Sequence, residues 1–528
     1  MNLAAAVLVT TPLLFLSLIL LPSSVANRGV LGLRRLLTAV AGLQALISIG
    51  ALIGRLTGQI GDLHVTLFSA GPAELTIMYE GVSALMMALV SFVGWVICRY
   101  SVRYLDGEAT QGRYFRWTGF SIGAVCLMVL SGNLLMFVAA WMMTSLGLHQ
   151  LLLHYSDRPA AQRAAWTKFG ISRLGDASLI GAMVLLYQQF QTLDFSELFA
   201  AAAAMPIDGN VPATVHWAGA LLILGGVTKS AQFPFHTWLP LTMETPTPVS
   251  ALMHAGIVNA GGFLIIRCSP LLVLTPWALT GLAIIGGFTA CFAAVVMLTQ
   301  TSVKKTLAYS TIAQMGFMML QCGLGGFSAA MLHILAHSLY KANAFLSSGS
   351  VMQQAAATRL PATETKQSSL FPVIAVGGIV LAMLVTALWL FGIDPITKPG
   401  GLVLTGVLTL ALTDWLGRIL RSGTPVQLAR GLVFTAGLCL FYGGSYAAVD
   451  AIVDSSLPST IASTPMLTGT LTAGLLIVFA CVFGLHRTLL RGKASDRMQA
   501  WYVHASNGFY IESMLRRRFQ SLAARGQA

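Results

Sequence analysis

A lysine within an apolar run is the first residue of this sequence whose chemistry needs explaining. Lys229 lies in GGVTKSAQFPFHTWLP, inside a stretch long enough to cross a bilayer. Charge at that depth costs several kcal/mol and usually faces a bundle interior or a water path. A desolvated lysine exchanges its proton readily, which suits a proton carrier. Pro234 and Pro240 follow within a dozen residues. They remove backbone donors and break the helix, and broken helices in membranes line ion or substrate sites. The bland alternative is a lysine snorkelling from a helix end.

Three further groups have spacing that chemistry can use. Pro246 and Pro248 start the next helix, with Glu244 just before them and His254 about two turns in. In MLHILAHSLYKANAF, His333, His337 and Lys341 stand at i, i+4 and i+8, on one helix face. Such a stripe passes protons along its length through intervening water. A metal on His333 and His337 lacks a nearby third ligand, and the HxxxH spacing alone is a weak signal. In SRLGDASLIGAM, Arg173 and Asp176 stand at i, i+3. Two readings are open: they pair with each other, or Asp176 is the counter-charge of Lys229. Glu80, Lys398 and Asp414, with Arg173, are secondary candidates for the same path.

Other chemistry is excluded by what is missing from the sequence. There is no GxGxxG or Walker A run, so nucleotide-driven work in this chain is not expected. The seven cysteines have no CxxC spacing and read as small apolar packers. No cofactor, metal or enzymatic activity is expected in this chain.

The elements that must position these residues follow from composition. Of 528 residues 56% are hydrophobic and 9% charged, against roughly 25% charged in soluble domains. Bilayer lipid must cover the surface. The net charge of +13 comes from short basic clusters between apolar runs, which excludes nucleic acid as a partner. About fifteen stretches reach spanning length: 3–22, 36–54, 76–98, 117–131, 133–153, 169–190, 215–239, 247–267, 275–299, 306–325, 327–349, 370–392, 401–418, 431–449 and 465–486. Alternate loops, beginning with 23–35, 99–116 and 154–168, carry the Arg and Lys residues. The intervening ones carry Asp62, Asp194, Glu197, Asp208, Asp450 and Asp454. The positive-inside rule then puts the N-terminus in the periplasm and the C-terminus in the cytoplasm of a bacterial inner membrane. Residues 487–528 form a polar tail in which Trp501, Tyr502, Phe509 and Tyr510 precede Arg516, Arg517 and Arg518. It reads equally as a helix on anionic lipid and as a docking segment for a partner.

The run KSAQFPFHTWLPLTMETPTPVSALMHAG, 229–256, resembles the signature of the antiporter-like subunits of complex I and Mrp antiporters. SRLGD at 172–176, LAYSTIAQMGFMML at 307–320, HILAHSLYKANAFLSSG at 333–349, the helix at 79–105 and WYVHASNGFYIE at 501–512 resemble the same family in the same order. The resemblance implies an all-α polytopic fold with two inverted five-helix repeats, each holding a broken helix. The chain then divides into N-terminal helices 1–116, a first repeat 117–267, a second repeat 275–418, C-terminal helices 419–486 and the tail 487–528. It also implies that Lys229 is the first-repeat lysine, and that His254, His333, His337 and Lys341 belong to a central hydrophilic axis.

Two departures stand out. The family usually has Glu directly after a Trp in the fifth helix, where WMMTSLG has Met142. The second broken helix, usually like GIPPxxGFxSK, is here FGIDPITKPGG, with Lys398 as the stand-in lysine. A shorter chain of this kind resembles the membrane subunit of DAB-type inorganic carbon pumps. That resemblance implies conduction of H⁺ or Na⁺, and a large zinc-containing, carbonic-anhydrase-like partner of the DabA type that holds the zinc and the catalysis. A proton-pumping subunit of a respiratory NADH–quinone oxidoreductase, an Mrp-type Na⁺/H⁺ antiporter subunit and a scaffold with a dead pathway are the alternatives.

Overall fold

Lipid offers no partner to backbone amides, so an apolar run of spanning length must fold as a helix. The computed structural model describes residues 3–70, 73–205, 211–349, 370–396, 398, 400–422, 424–458, 465–489 and 496–514. Its long helices are α1 (Leu3–Ser17), α2 (Val30–Leu56), α3 (Gly81–Tyr104), α4 (Gln111–Leu130), α5 (Leu134–Leu152), α6 (Pro159–Phe190), α7 (Ala213–Lys229), α8 (Thr247–Ala255), α9 (Ala260–Arg267), α10 (Pro276–Met297), α11 (Val303–Gly323), α12 (Phe327–Leu346), α13 (Leu370–Leu390), α14 (Gly401–Ser422), α15 (Pro425–Val453), α16 (Pro465–Leu489) and α17 (Asp496–Ser506). Among the described residues eight helical segments are long and apolar enough to cross a membrane, α8–α9 counting as one, and three more are shorter and apolar. The protein is an all-α polytopic membrane protein.

Two expected boundaries are corrected. The third stretch was placed at 76–98, but Leu63–Ala70 and Ala73–Tyr79 pair as antiparallel strands β1 and β2, and α3 starts only at Gly81. Gly71 and Pro72 separate two runs rich in β-branched and aromatic residues, which favours a hairpin. The hairpin is fastened to the turn between α4 and α5 and to the segment after α6: Gly132 N donates to Thr76 O at 2.7 Å, and His64 Nε2 lies 3.0 Å from Asp194 Oδ2. The second correction is the loop 154–168. Pro159 occupies the first helical turn, where its missing donor costs nothing, so α6 begins there and draws Lys168 into the bundle.

One guanidinium joins three helices. Arg267, at the end of α9, is fully buried. It pairs with Glu80 at the start of α3, donates to Ser83 Oγ, and reaches Val129 O of α4 at 3.0 Å. Glu80, a secondary path candidate, is held in this fixed pair. Removing one partner of a buried pair costs about 3–5 kcal/mol. Arg267→Ala and Glu80→Gln, each of which strands the other partner, are therefore both expected to lower the thermal midpoint of the solubilised protein sharply. An unchanged midpoint in Arg267→Ala would show that the pair does not hold these helices.

Candidate functional site

The last residue of α7 points its side chain across to α5. Lys229 is buried, and its Nζ donates to Thr144 Oγ1 at 2.6 Å, Ser145 Oγ at 2.9 Å and Trp141 O at 3.2 Å. The Trp141 ring centroid is 4.4 Å from the ammonium. Positions 141, 144 and 145 are i, i+3 and i+4, one face of α5. Where the resemblance led one to expect a carboxylate, Met142 is half-buried, and two hydroxyls, a carbonyl and a π face hold the charge. Lys168 of α6 is buried beside them and donates to Ser145 O at 2.9 Å. Ser145 thus meets both lysines.

Asp176 is paired differently from the sharper expectation. Its carboxylate lies 2.6 Å from Arg173 Nη2, the local pairing that i, i+3 spacing allows. Among the described residues no carboxylate makes a salt bridge with Lys229. The structure shows the local pair, and the Asp176 carboxylate stays near enough for its charge to act on Lys229 without a salt bridge.

From Lys229 the polar contacts run inward through the breaks. Ser230 Oγ donates to Val258 O at 2.7 Å, in the 3₁₀ turn Ile257–Asn259 that interrupts α8 and α9 at Gly256. Asn259 Nδ2 donates to Ser338 Oγ at 2.8 Å. Ser338 lies on α12 between His337 and Lys341. His254 Nδ1 meets Thr311 Oγ1 of α11 at 3.0 Å, and its ring stacks on Phe345 with centroids 4.4 Å apart. Lys341 Nζ donates to Leu307 O at 3.2 Å. The rings of His333 and His337 are 6.0 Å apart, and His333 Nδ1 meets Gln321 Oε1 at 2.9 Å. The structure thus brings His254, His333, His337 and Lys341 close together, with Lys229 buried separately against α5. Among the described residues no three His, Cys, Asp or Glu side chains converge as metal ligands do.

The remaining candidates lie elsewhere. Glu244 is at the surface, 3.8 Å from Arg158, in a network outside the membrane-spanning helices. There Arg158 covers the Tyr155 ring, and Tyr155 Oη donates to Glu108 Oε1 at 2.9 Å. Partial burial, then the Glu108 hydrogen bond and charge, push the Tyr155 phenol up to about 12. Lys398 lies in the break between α13 and α14, 3.0 Å from Asp450 Oδ2 of α15. Asp414 is half-buried on α14. In the tail, Phe509 packs 5.8 Å from Phe292 of α10 and 6.1 Å from Trp501, and Tyr502 Oη donates to Thr299 O at 3.4 Å. Part of the proposed docking surface is thus folded onto the chain itself, while Trp501 and Tyr510 remain exposed. Arg516, Arg517 and Arg518 lie outside the described residues.

Sequence reasoning missed Lys168, Thr144, Ser145, Asn259 and Arg267. Pro159 was the available signal for Lys168. The hydroxyls and Asn259 are common residues in transmembrane helices, and only the fold aims them at charges.

A polytopic helical membrane protein with broken helices around buried lysines and histidines is an ion-translocating subunit of the antiporter type. The family described as NADH:quinone oxidoreductase/Mrp antiporter, TM matches residues 131–403, and that described as NADH-Ubiquinone oxidoreductase (complex I), chain 5 N-terminus, matches 68–115. The chain belongs to this NADH:quinone oxidoreductase/Mrp antiporter family. It is 38% identical over 455 residues to a probable inorganic carbon transporter subunit, DabB2, of Halothiobacillus neapolitanus, covering 85% of this chain and 80% of that one. It is 37% identical over 371 residues to the DabB counterpart of Hydrogenovibrio crunogenus, 70% of each. In fold it resembles a chain of the Mrp complex from Dietzia sp., with a TM-score of 0.64 and 23% identity. All of this chain is covered, and it spans 60% of that longer one.

The Lys229 contacts give a direct test. A hydrogen bond to a charged group contributes about 1.5–3 kcal/mol. Thr144→Val with Ser145→Ala is expected to lower cation flux in proteoliposomes by roughly tenfold or more, whereas Met142→Ala should change it little. Equal flux in the double variant and wild type would show that these hydroxyls are not part of the path.

Proposed function

We propose that this chain is the cation-conducting membrane subunit of an energy-coupled complex that accumulates inorganic carbon. Protons are the first-choice ion and Na⁺ the other. The observation that carries the conduction half is the ammonium of Lys229, buried at a helix break and hydrogen-bonded to Thr144, Ser145 and Trp141 O, in a chain that also buries His254, His337 and Lys341 near one another. Lys229, His254, His337 and Lys341 each have a group that holds a proton, and hops between them need water. His254 Nε2 and His337 Nε2 are buried with no protein partner among the described residues. Buried ring nitrogens of this kind take water, and water is what a proton relay needs.

The carbon half rests on likeness to the Halothiobacillus chain, which extends over most of both sequences. On this reading the chain moves ions and a large zinc-containing, carbonic-anhydrase-like partner of the DabA type performs the chemistry. About fifteen crossings, two inverted five-helix repeats with Lys398 in the second break, a periplasmic N-terminus and a cytoplasmic C-terminus belong to the same proposal. So does partner contact at the cytoplasmic face through the tail and basic loops.

Affinity purification of the full chain from its native membrane tests the assignment. One large zinc protein should co-purify. A set of quinone-linked redox subunits, or several small antiporter subunits, would replace this reading with a respiratory or a Na⁺/H⁺ one. In the same complex Lys229→Ala should abolish carbon-dependent growth while the partner still co-purifies, and full activity of that variant would overturn the proposed path. Deleting 495–528 should release the partner while the membrane domain still inserts; a truncated chain that keeps its partner at full stoichiometry moves docking to the loops.

A further inference from the structure

A groove of ≈760 Å³ runs between α2 and α3, away from the ion path. At one end it is lined by Arg34, Arg35, Arg99 and Arg103, and below them by Leu43 and Leu46, with Trp95 between the two zones. A second cavity of ≈640 Å³ continues from it and shares Trp95, Arg99 and Arg103. Two antiparallel helices thus bring basic residues from sequence positions some sixty-five apart to one membrane edge.

Among the described residues, one of these four arginines meets a carboxylate. Arg34 is committed to Asp106 at 2.7 Å. Arg35, Arg99 and Arg103 are exposed, and none of the described salt bridges includes them. Arg99 and Arg103 are one turn apart on α3, a spacing at which like charges repel. Arg99 lies over the Trp95 ring, 5.8 Å from its centroid. Three guanidinium groups converging on a groove need an anion. An apolar floor directly beneath them needs acyl chain. Tryptophan between the two zones is the residue type found at headgroup depth, and basic pockets between spanning helices take anionic lipid heads.

We propose that this groove is a specific site for an anionic glycerophospholipid. Its phosphate is held by Arg35, Arg99 and Arg103, its glycerol backbone lies at Trp95, and one acyl chain runs along Leu43 and Leu46. A guanidinium offers a planar fork to phosphate oxygens, and the choline headgroup of a neutral lipid would place a positive charge among three others. The site therefore discriminates by headgroup.

The test is native mass spectrometry of the full chain released from nanodiscs of phosphatidylglycerol and phosphatidylcholine. The protein should retain phosphatidylglycerol over phosphatidylcholine. Arg35→Gln/Arg99→Gln/Arg103→Gln should lower that retention roughly tenfold or more, while Arg163→Gln, an exposed arginine outside the groove, should not. The replaced side chains are exposed and have no carboxylate partner, so the triple variant should melt as wild type does, which separates loss of lipid from loss of fold. Unchanged retention in the triple variant, or equal retention of phosphatidylcholine, overturns the proposal. Equal thermal protection by inorganic phosphate alone makes the groove a free-anion site. Loss of the co-purifying partner with lipid retention unchanged makes it a protein interface.

Discussion

Every helix that stops within a bilayer must have its freed amides and carbonyls satisfied by other protein groups, because lipid cannot do it. That constraint organises this molecule. After α7, Gln232 N bonds back to Val227 O at 3.0 Å, Gln232 Nε2 donates to Ser230 O at 2.8 Å, and Phe233 N donates to Thr289 Oγ1 of α10 at 3.1 Å. Ser230 then supplies a donor to the next break, at Val258 O. The hydroxyls and amides that repair the backbone are the same groups that line the polar interior between Lys229 and α12. A break in one helix therefore recruits polar residues on its neighbours, and two breaks side by side give a polar passage through an otherwise apolar bundle.

Within that interior two kinds of buried charge are held in opposite ways. Arg267 is paired with Glu80 and further bonded to Ser83 and Val129 O. Its charge is permanent, and separating it from Glu80 would leave a carboxylate buried alone, so the pair acts as a rivet. Lys229, Lys168 and Lys341 meet hydroxyls and backbone carbonyls instead. When such a lysine loses its proton, its hydrogen-bond acceptors stay neutral, so none of them is left as an orphaned ion. The sharing of Ser145 by Lys229 and Lys168 adds repulsion between the two ammonium groups when both are charged.

Much of this was legible in the sequence because lipid makes composition decisive. Every apolar stretch of spanning length contains a helix in the described residues, and an interior lysine followed by prolines pointed to the α7 break. The His333–His337–Lys341 face followed from helical periodicity alone. What stayed hidden depends on rotation and on distance in space. Arg173 and Asp176 allowed two pairings, and only the azimuth of α6 decided for the local one. Glu244 stands next to two prolines and three residues after Leu241, which did not show that it faces water and Arg158. The β1–β2 hairpin escaped because its residues are as apolar as those of a span, and periodicity cannot separate a short strand from a helix end. Arg267 closes an apolar run, where a basic residue ordinarily marks the membrane edge, and its partner is nearly two hundred positions away.

The tail shows the same limit in another form. Its aromatic and arginine content fits lipid and protein contact equally, so composition cannot choose between them. Geometry adds a contact that composition does not contain. Phe509 lies between Trp501 and Phe292, and Phe292 in turn meets His236 at 5.1 Å and Phe233 at 5.9 Å. Both of those residues belong to the segment that follows Lys229 after the α7 break. Aromatic side chains in a packed cluster do not compress; they keep one arrangement or exchange it for another. Phe509 and Phe292 thereby join the tail to the backbone beside the break. Trp501 and Tyr510 are exposed, so one row of rings runs from an open face of the tail to the turn that follows Lys229.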